Sequence, residues 1–120
     1  VFACPNVHYP ATMQSASYSL EALPAVHSLS GVSRGFHAHR ALQQVAVCVT
    51  GKCRMVLDDG QRREDVWLDS PTKGLLIGGL VWREMHDFSP DCVMLVLASE
   101  HYDEADYIRE YTEFLKVINI

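Results

Sequence analysis

Between Gln43 and Ala98 the chain is cut by turn formers into short apolar or alternating runs, and this rhythm limits its fold more than any other feature. Gln43 to Val49 is apolar and rich in β-branched residues, Thr50-Gly51-Lys52 turns the chain, and Cys53 to Leu57 runs back. Asp58-Asp59-Gly60 has the Asp-Gly chemistry of a tight turn, Arg62 to Leu68 follows, and Asp69 to Gly74 forms a loop. Leu75 to Ile77 and Leu80 to Phe88 flank Gly78-Gly79, and Cys92 to Ala98 completes the set. Short strands at this spacing predict an all-β barrel or sandwich.

The last segment changes period. Tyr107, Ile108, Tyr111, Phe114, Leu115 and Ile118 share one face of a helix, which predicts a short C-terminal helix over 103–118. Asp103 would cap it, Glu104 and Asp106 would sit at the positive end of its dipole, and the aromatic stripe would pack on the barrel. Residues 1–31, with prolines at 5, 10 and 24 and scattered serines, read as an arm or edge strands, with short extended pieces around Ser17–Leu20 and Ala25–Leu29. At 120 residues the chain makes one domain, with the barrel core over 32–100.

Composition excludes several functions. A net charge of −5 argues against a nucleic-acid partner, because binding phosphates requires a basic surface. No apolar run approaches the roughly 20 residues of a membrane span, and the start Val1-Phe2-Ala3-Cys4-Pro5 does not read as a signal peptide. Cys4, Cys48, Cys53 and Cys92 lack Cys-x-x-Cys spacing, which predicts free thiols and a reducing cytoplasm.

Candidate chemistry begins at Arg34-Gly35-Phe36-His37-Ala38-His39. On a strand, residues i and i+2 share a face, so His37 and His39 aim together. Gln44 follows, and the next strand closes on Gly51. Strand alternation groups Arg83 with Val81 and Met85, away from Trp82, Glu84 and His86, which predicts an inward guanidinium. Two imidazoles, a neutral amide and a guanidinium make a poor metal set, because arginine cannot ligate and repels a cation. The expectation is therefore no metal and no cofactor. The same groups suit proton transfer beside a carbonyl: a neutral imidazole as base and Arg83 to steady the oxyanion. His8, His27, His86 and His101 read as surface or loop residues, Trp67 and Trp82 as core or interface.

The His37–His39 pair with Gln44 and Gly51 resembles the first motif of the cupins, with glutamine at the usual glutamate position. Together with Val56-Leu57-Asp58-Asp59-Gly60, Leu68-Asp69-Ser70-Pro71, Val81-Trp82-Arg83-Glu84, Leu97-Ala98-Ser99 and Tyr102-Asp103-Glu104, the chain over about residues 32–118 resembles the small cupin dTDP-sugar 3,4-ketoisomerases with WxcM-like C-terminal domains. That resemblance implies a jelly-roll cupin barrel, usually a homodimer, that moves the keto group of a dTDP-4-keto-6-deoxyhexose from C4 to C3 without metal, towards amino deoxysugars. It implies His37 as base, assisted by His39 and Arg83. Arg34, Arg40 and Gln44 are candidates for holding a dTDP-linked keto-deoxysugar. Residues 1–31 depart from the family's N-terminal strands, and Ile77-Gly78-Gly79 replaces a proline turn, which would loosen it. Two alternatives remain: a metal-dependent cupin oxygenase or isomerase, and a non-catalytic nucleotide-sugar-binding module.

Overall fold

The computed structural model describes residues 32–119, together with the backbone of three two-residue strands, β1 (Phe2–Ala3), β2 (Glu21–Ala22) and β3 (Val26–His27). Cys4, His8, the side chain of His27 and the extended piece expected around Ser17–Leu20 lie outside the described residues. Seven longer strands follow the predicted rhythm: β4 (Arg34–His39), β5 (Gln44–Thr50), β6 (Cys53–Asp58), β7 (Arg63–Leu68), β8 (Leu75–Ile77), β9 (Trp82–His86) and β10 (Val93–Ala98). They form two sheets. One has the order β1-β8-β5-β10-β2, with β3 also on β10; the other runs β11-β4-β9-β6-β7, where β11 is Tyr107–Ile108. Among the described residues the two sheets do not close on each other, so the expected jelly-roll barrel is open there.

The turn at Thr50-Gly51-Lys52 does not return the chain along its own strand, as the sequence suggested. β5 pairs with β8 and β10, whereas β6 pairs with β7 and β9, so this corner carries the chain from one sheet to the other. The corner is fastened to the 89–92 turn: Ser89 N donates to Lys52 O at 2.9 Å, and Thr50 Oγ1 donates to Asp91 O at 2.6 Å. The Asp-Gly turn behaves as predicted. It joins β6 and β7 directly, with Asp59 Oδ1 accepting from the amides of Gln61 and Arg62.

Alternation along each strand sends one row of side chains between the sheets. Ala46 and Cys48 of β5, Met55 and Leu57 of β6, Leu75 and Ile77 of β8 and Met94 of β10 meet there in one buried cluster. Cys48, Cys53 and Cys92 are free, buried and adjacent, with sulfur separations of 3.7 Å (48 to 53) and 3.6 Å (48 to 92).

The C-terminal helix is shorter than expected. Asp103 does cap a turn, its side chain accepting from Ala105 N, but that turn is a 3-10 helix over Glu104–Asp106. The chain then extends through β11 beside β4, and α1 spans Tyr111–Ile118. Tyr107 and Ile108 are therefore strand residues, and the helical spacing that linked them to Tyr111 is coincidental. Phe114 of α1 packs on Trp82, Ala38 and Ile108, a second cluster on the outer face of the β4–β9 sheet. Tyr111 Oη locks the helix down by donating to Asp58 Oδ2 at 2.6 Å. Among the described residues no helix is long and apolar enough to cross a membrane.

Candidate active site

The site is built on β4, and β4 is irregular where it matters. Its register against β9 runs Arg34↔Met85, Gly35↔Glu84, His37↔Arg83, so Phe36 is an extra residue. This is a β-bulge, with Gly35 at φ 91° and Phe36 at φ 53°. A Cβ on Gly35 would stand 3.1 Å from the carbonyl oxygen of Arg83, and with φ at 91° a side chain there would be strained, so glycine eases this approach of the two strands. The bulge pushes Phe36 outwards, where it is 43% exposed, and brings Arg34 and His37 onto one face although they are three residues apart. Simple alternation would have separated them.

Inside, a cavity of about 140 Å³ is bordered by His37, Gln44, Arg83, Tyr107 and the apolar side chains of Met55 and Ile77. Arg83 is 2% exposed and donates from Nη1 to Gln44 Oε1 at 2.7 Å and from Nη2 to Val81 O at 2.9 Å. Its Nε has no hydrogen-bond partner among the described residues. Burial lowers the guanidinium to about 10, which leaves it charged at neutral pH. Gln44, at the usual glutamate position, thus aims the guanidinium without neutralising it.

His37 Nδ1 lies 3.1 Å from Gly35 O. A carbonyl only accepts, so Nδ1 carries the proton and Nε2 keeps its lone pair. Burial, then the Arg83 charge, lower His37 from 6.5 to about 4. His39 is wholly buried, and burial followed by Arg83 and His37 moves it down as well. Both rings are neutral at pH 7. They meet edge to face with centroids 4.9 Å apart, and Tyr107 lies against both, 5.1 Å from His37 and 4.3 Å from His39. Tyr107 also borders a second, wider cavity of about 520 Å³ with His39, Leu42, Glu100 and Tyr102.

The structure thus brings His37, His39, Gln44 and Arg83 together. Arg34 stands on the same face at the next register position, and its Nε is buried without a hydrogen-bond partner among the described residues. Arg40 does not join them: its guanidinium is on the outside, 3.2 Å from Glu113 Oε1 of α1. His86 is a half-buried strand residue rather than a loop residue, held between Ser33 Oγ at 2.7 Å and Glu84 Oε1 at 2.9 Å. Gly79 does not loosen its turn. A Cβ there would lie 2.7 Å from Arg40 O, and the next amide, Leu80 N, donates to His39 O at 2.6 Å, so glycine lets this turn clamp the end of β4. Tyr107 was missed by the sequence reading because helical spacing absorbed it. The one local signal was its place just after an acid-rich turn.

Among the described residues no group of three or more His, Cys, Asp or Glu is arranged to hold a metal ion. Two facing sheets, with an imidazole pair on β4 and a buried guanidinium beside it, define a cupin fold with a candidate site on β4 and β9. The chain belongs to the FdtA family of WxcM-like C-terminal domains, whose model matches residues 24–119. A curated relative from Aneurinibacillus thermoaerophilus, a TDP-4-oxo-6-deoxy-alpha-D-glucose-3,4-oxoisomerase, is 61% identical over 85 residues, which are 71% of this chain and 61% of the relative. The match thus spans less than two thirds of that relative's length. A 3,4-ketoisomerase from Helicobacter canadensis superposes with a TM-score of 0.77 at 40% identity, covering 85% of this chain and 75% of that one. QdtA, a sugar 3,4-ketoisomerase from Thermoanaerobacterium thermosaccharolyticum solved with TDP, gives 0.76 at 40% identity over 84% and 72%.

Proposed function

We propose that this protein is a 3,4-ketoisomerase of a TDP-linked 4-keto-6-deoxyhexose. The observation that carries this reading is the convergence of two neutral imidazoles, each held at Nδ1, on a charged, buried guanidinium. The family supports it, because the matched relatives are 3,4-oxoisomerases and ketoisomerases of TDP-sugars.

In this mechanism His37 Nε2 removes the proton from C3 of the sugar. Charge flows to the oxygen of the C4 ketone, where Arg83 steadies it, and proton uptake there gives a C3–C4 enediol. Loss of the O3 proton and protonation of C4 then leave the ketone at C3, with His39 relaying protons between oxygen and carbon. The product has the same composition as the substrate, although its exchangeable protons and the proton delivered to C4 can come from solvent. The face on which C4 is reprotonated sets the product's stereochemistry. Arg34, on the same sheet face, adds local positive charge for the diphosphate on an otherwise acidic chain.

Incubation with TDP-4-keto-6-deoxyglucose in deuterated water, followed by NMR, tests this directly. Deuterium entering the sugar ring together with formation of a 3-keto product is expected, and an unchanged substrate would sink the reading. The pH dependence follows from the depressed His37 pKa. The working form is neutral, so the acid limb of kcat/KM for the free enzyme should fall near pH 4 rather than 6.5. A limb at 6.5 would point to a different base. Stability follows the same sign. Between 6.5 and about 4 the unfolded chain binds more protons at this site than the folded one, so stability is lost as pH falls through that window.

A homodimer in the cytoplasm completes the proposal. Val45, Val47, Leu95 and Leu97 form a half-buried apolar ladder on the outer face of the β5–β10 pair, beside exposed Val49. Such a face gains from a partner. Light scattering should give twice the 13.5 kDa chain mass, and a value of one chain at micromolar concentration would contradict it. The three free, buried thiols suit a reducing compartment.

A further inference from the structure

The short 3-10 turn before β11 ends in a carboxylate that the sequence assigned to a helix dipole. Asp106 is not at the start of an α-helix, and its side chain points back to β4. Oδ1 accepts from Ala41 N at 2.8 Å, and Oδ2 accepts from Leu42 N at 3.1 Å. Its backbone is equally fixed: Arg40 N donates to Asp106 O at 2.9 Å, and Asp106 N donates to Asp103 O at 3.0 Å. Two consecutive amides thus set the plane of the carboxylate. The remaining contact of Oδ2 is with His39 Nδ1 at 3.2 Å.

We infer that Asp106 is a positioning residue for His39, holding the imidazole in its Nδ1–H form so that Nε2 presents a lone pair to the substrate. A carboxylate can only accept, so the 3.2 Å contact assigns the ring proton to Nδ1. Nε2 is then an acceptor, and it is buried with no partner among the described residues. An isolated buried acceptor is costly, and a structural histidine would be expected to use both nitrogens. The other groups facing His39 are the His37 ring, Tyr107 and the Arg83 charge. None is hydrogen-bonded to it, so among the described residues Asp106 alone fixes the tautomer. If the carboxylate served only to tie the turn to β4, its two backbone amides and the Arg40 bond would suffice.

The catalytic part of this inference rests on the isomerase reading, and the tautomer part does not. Long-range proton–nitrogen NMR of the full chain labelled with ¹⁵N-histidine separates them. In the wild-type protein His39 should be protonated at Nδ1, and protonation at Nε2 overturns the inference without any variant. In Asp106→Asn, the shorter bond from Ala41 N should retain the amide oxygen. The NH₂ group then faces Nδ1 and donates to it, moving the ring proton to Nε2. That switch should lower kcat about 10- to 100-fold with KM nearly unchanged, the range typical of lost outer-shell partners. If the amide oxygen instead stays on Leu42 N and His39 Nδ1, the tautomer and kcat should both stay as in the wild type. A switched tautomer with wild-type kcat, or an unswitched one with kcat lowered as far, overturns the positioning role. Absence of any turnover by the wild-type protein would instead refute the isomerase reading, and the wild-type spectrum would still decide the tautomer.

Discussion

His37→Ala is expected to lower kcat by about 10²–10⁴-fold, or roughly 3 to 5 kcal/mol of barrier, while the protein stays folded and binds the nucleotide. The magnitude is that of a positioned general base, and His37 meets both conditions for one. Its Nδ1 is tied to Gly35 O at 3.1 Å, which leaves Nε2 free, and its ring borders the cavity that holds Arg83. The fold should survive because only one hydrogen bond is lost, at a side chain that is itself only partly buried. Deuterium exchange at C3, followed by NMR, is the decisive readout. Wild-type exchange in His37→Ala would show that another group takes the proton, with His39 the first to test.

Arg83→Leu should cost a comparable amount, about 10²–10³-fold in kcat, for a different reason. It removes the charge that meets the developing oxyanion but leaves the base, so slow exchange at C3 should persist. It should also change the base itself. Arg83 is the second cause, after burial, of the low pKa of His37 and His39, so both imidazoles should titrate higher in the variant. Histidine NMR titration would detect this, and unchanged histidine titration would mean that the guanidinium does not act on these rings. Stability should reflect two opposing effects. Burying an unpaired ion is costly, and replacing it with an apolar side chain relieves that desolvation. Against that, Gln44 Oε1 and Val81 O would each lose a donor, at about 1–3 kcal/mol apiece. These opposing effects make thermal unfolding a control that separates lost chemistry from lost fold.

Much of this architecture was legible in the chain. Strand alternation placed His37 with His39 and turned Arg83 inwards because side-chain direction in a strand has a period of two, a local property of the backbone. The Asp58-Asp59-Gly60 hairpin was readable for the same reason: its hydrogen bonds lie within a few residues. Other features depended on contacts distant in sequence. The corner at Thr50-Gly51-Lys52 looked like a hairpin, and only its anchors at Ser89 and Asp91 reveal a crossing between sheets. The bulge at Phe36 exists because β9 approaches Gly35 closely, and that bulge puts Arg34 on the His37 face. Helical spacing captured Tyr107 and Ile108, but pairing with Ala38 and His39 of β4 drew them into a strand and delayed α1 to Tyr111. The sequence by itself determined which faces the proposed acid–base groups His37, His39 and Arg83 occupy. Tertiary structure decided which of their nitrogens are free, because the partners that fix them are a carbonyl in a bulge and a carboxylate 67 residues away.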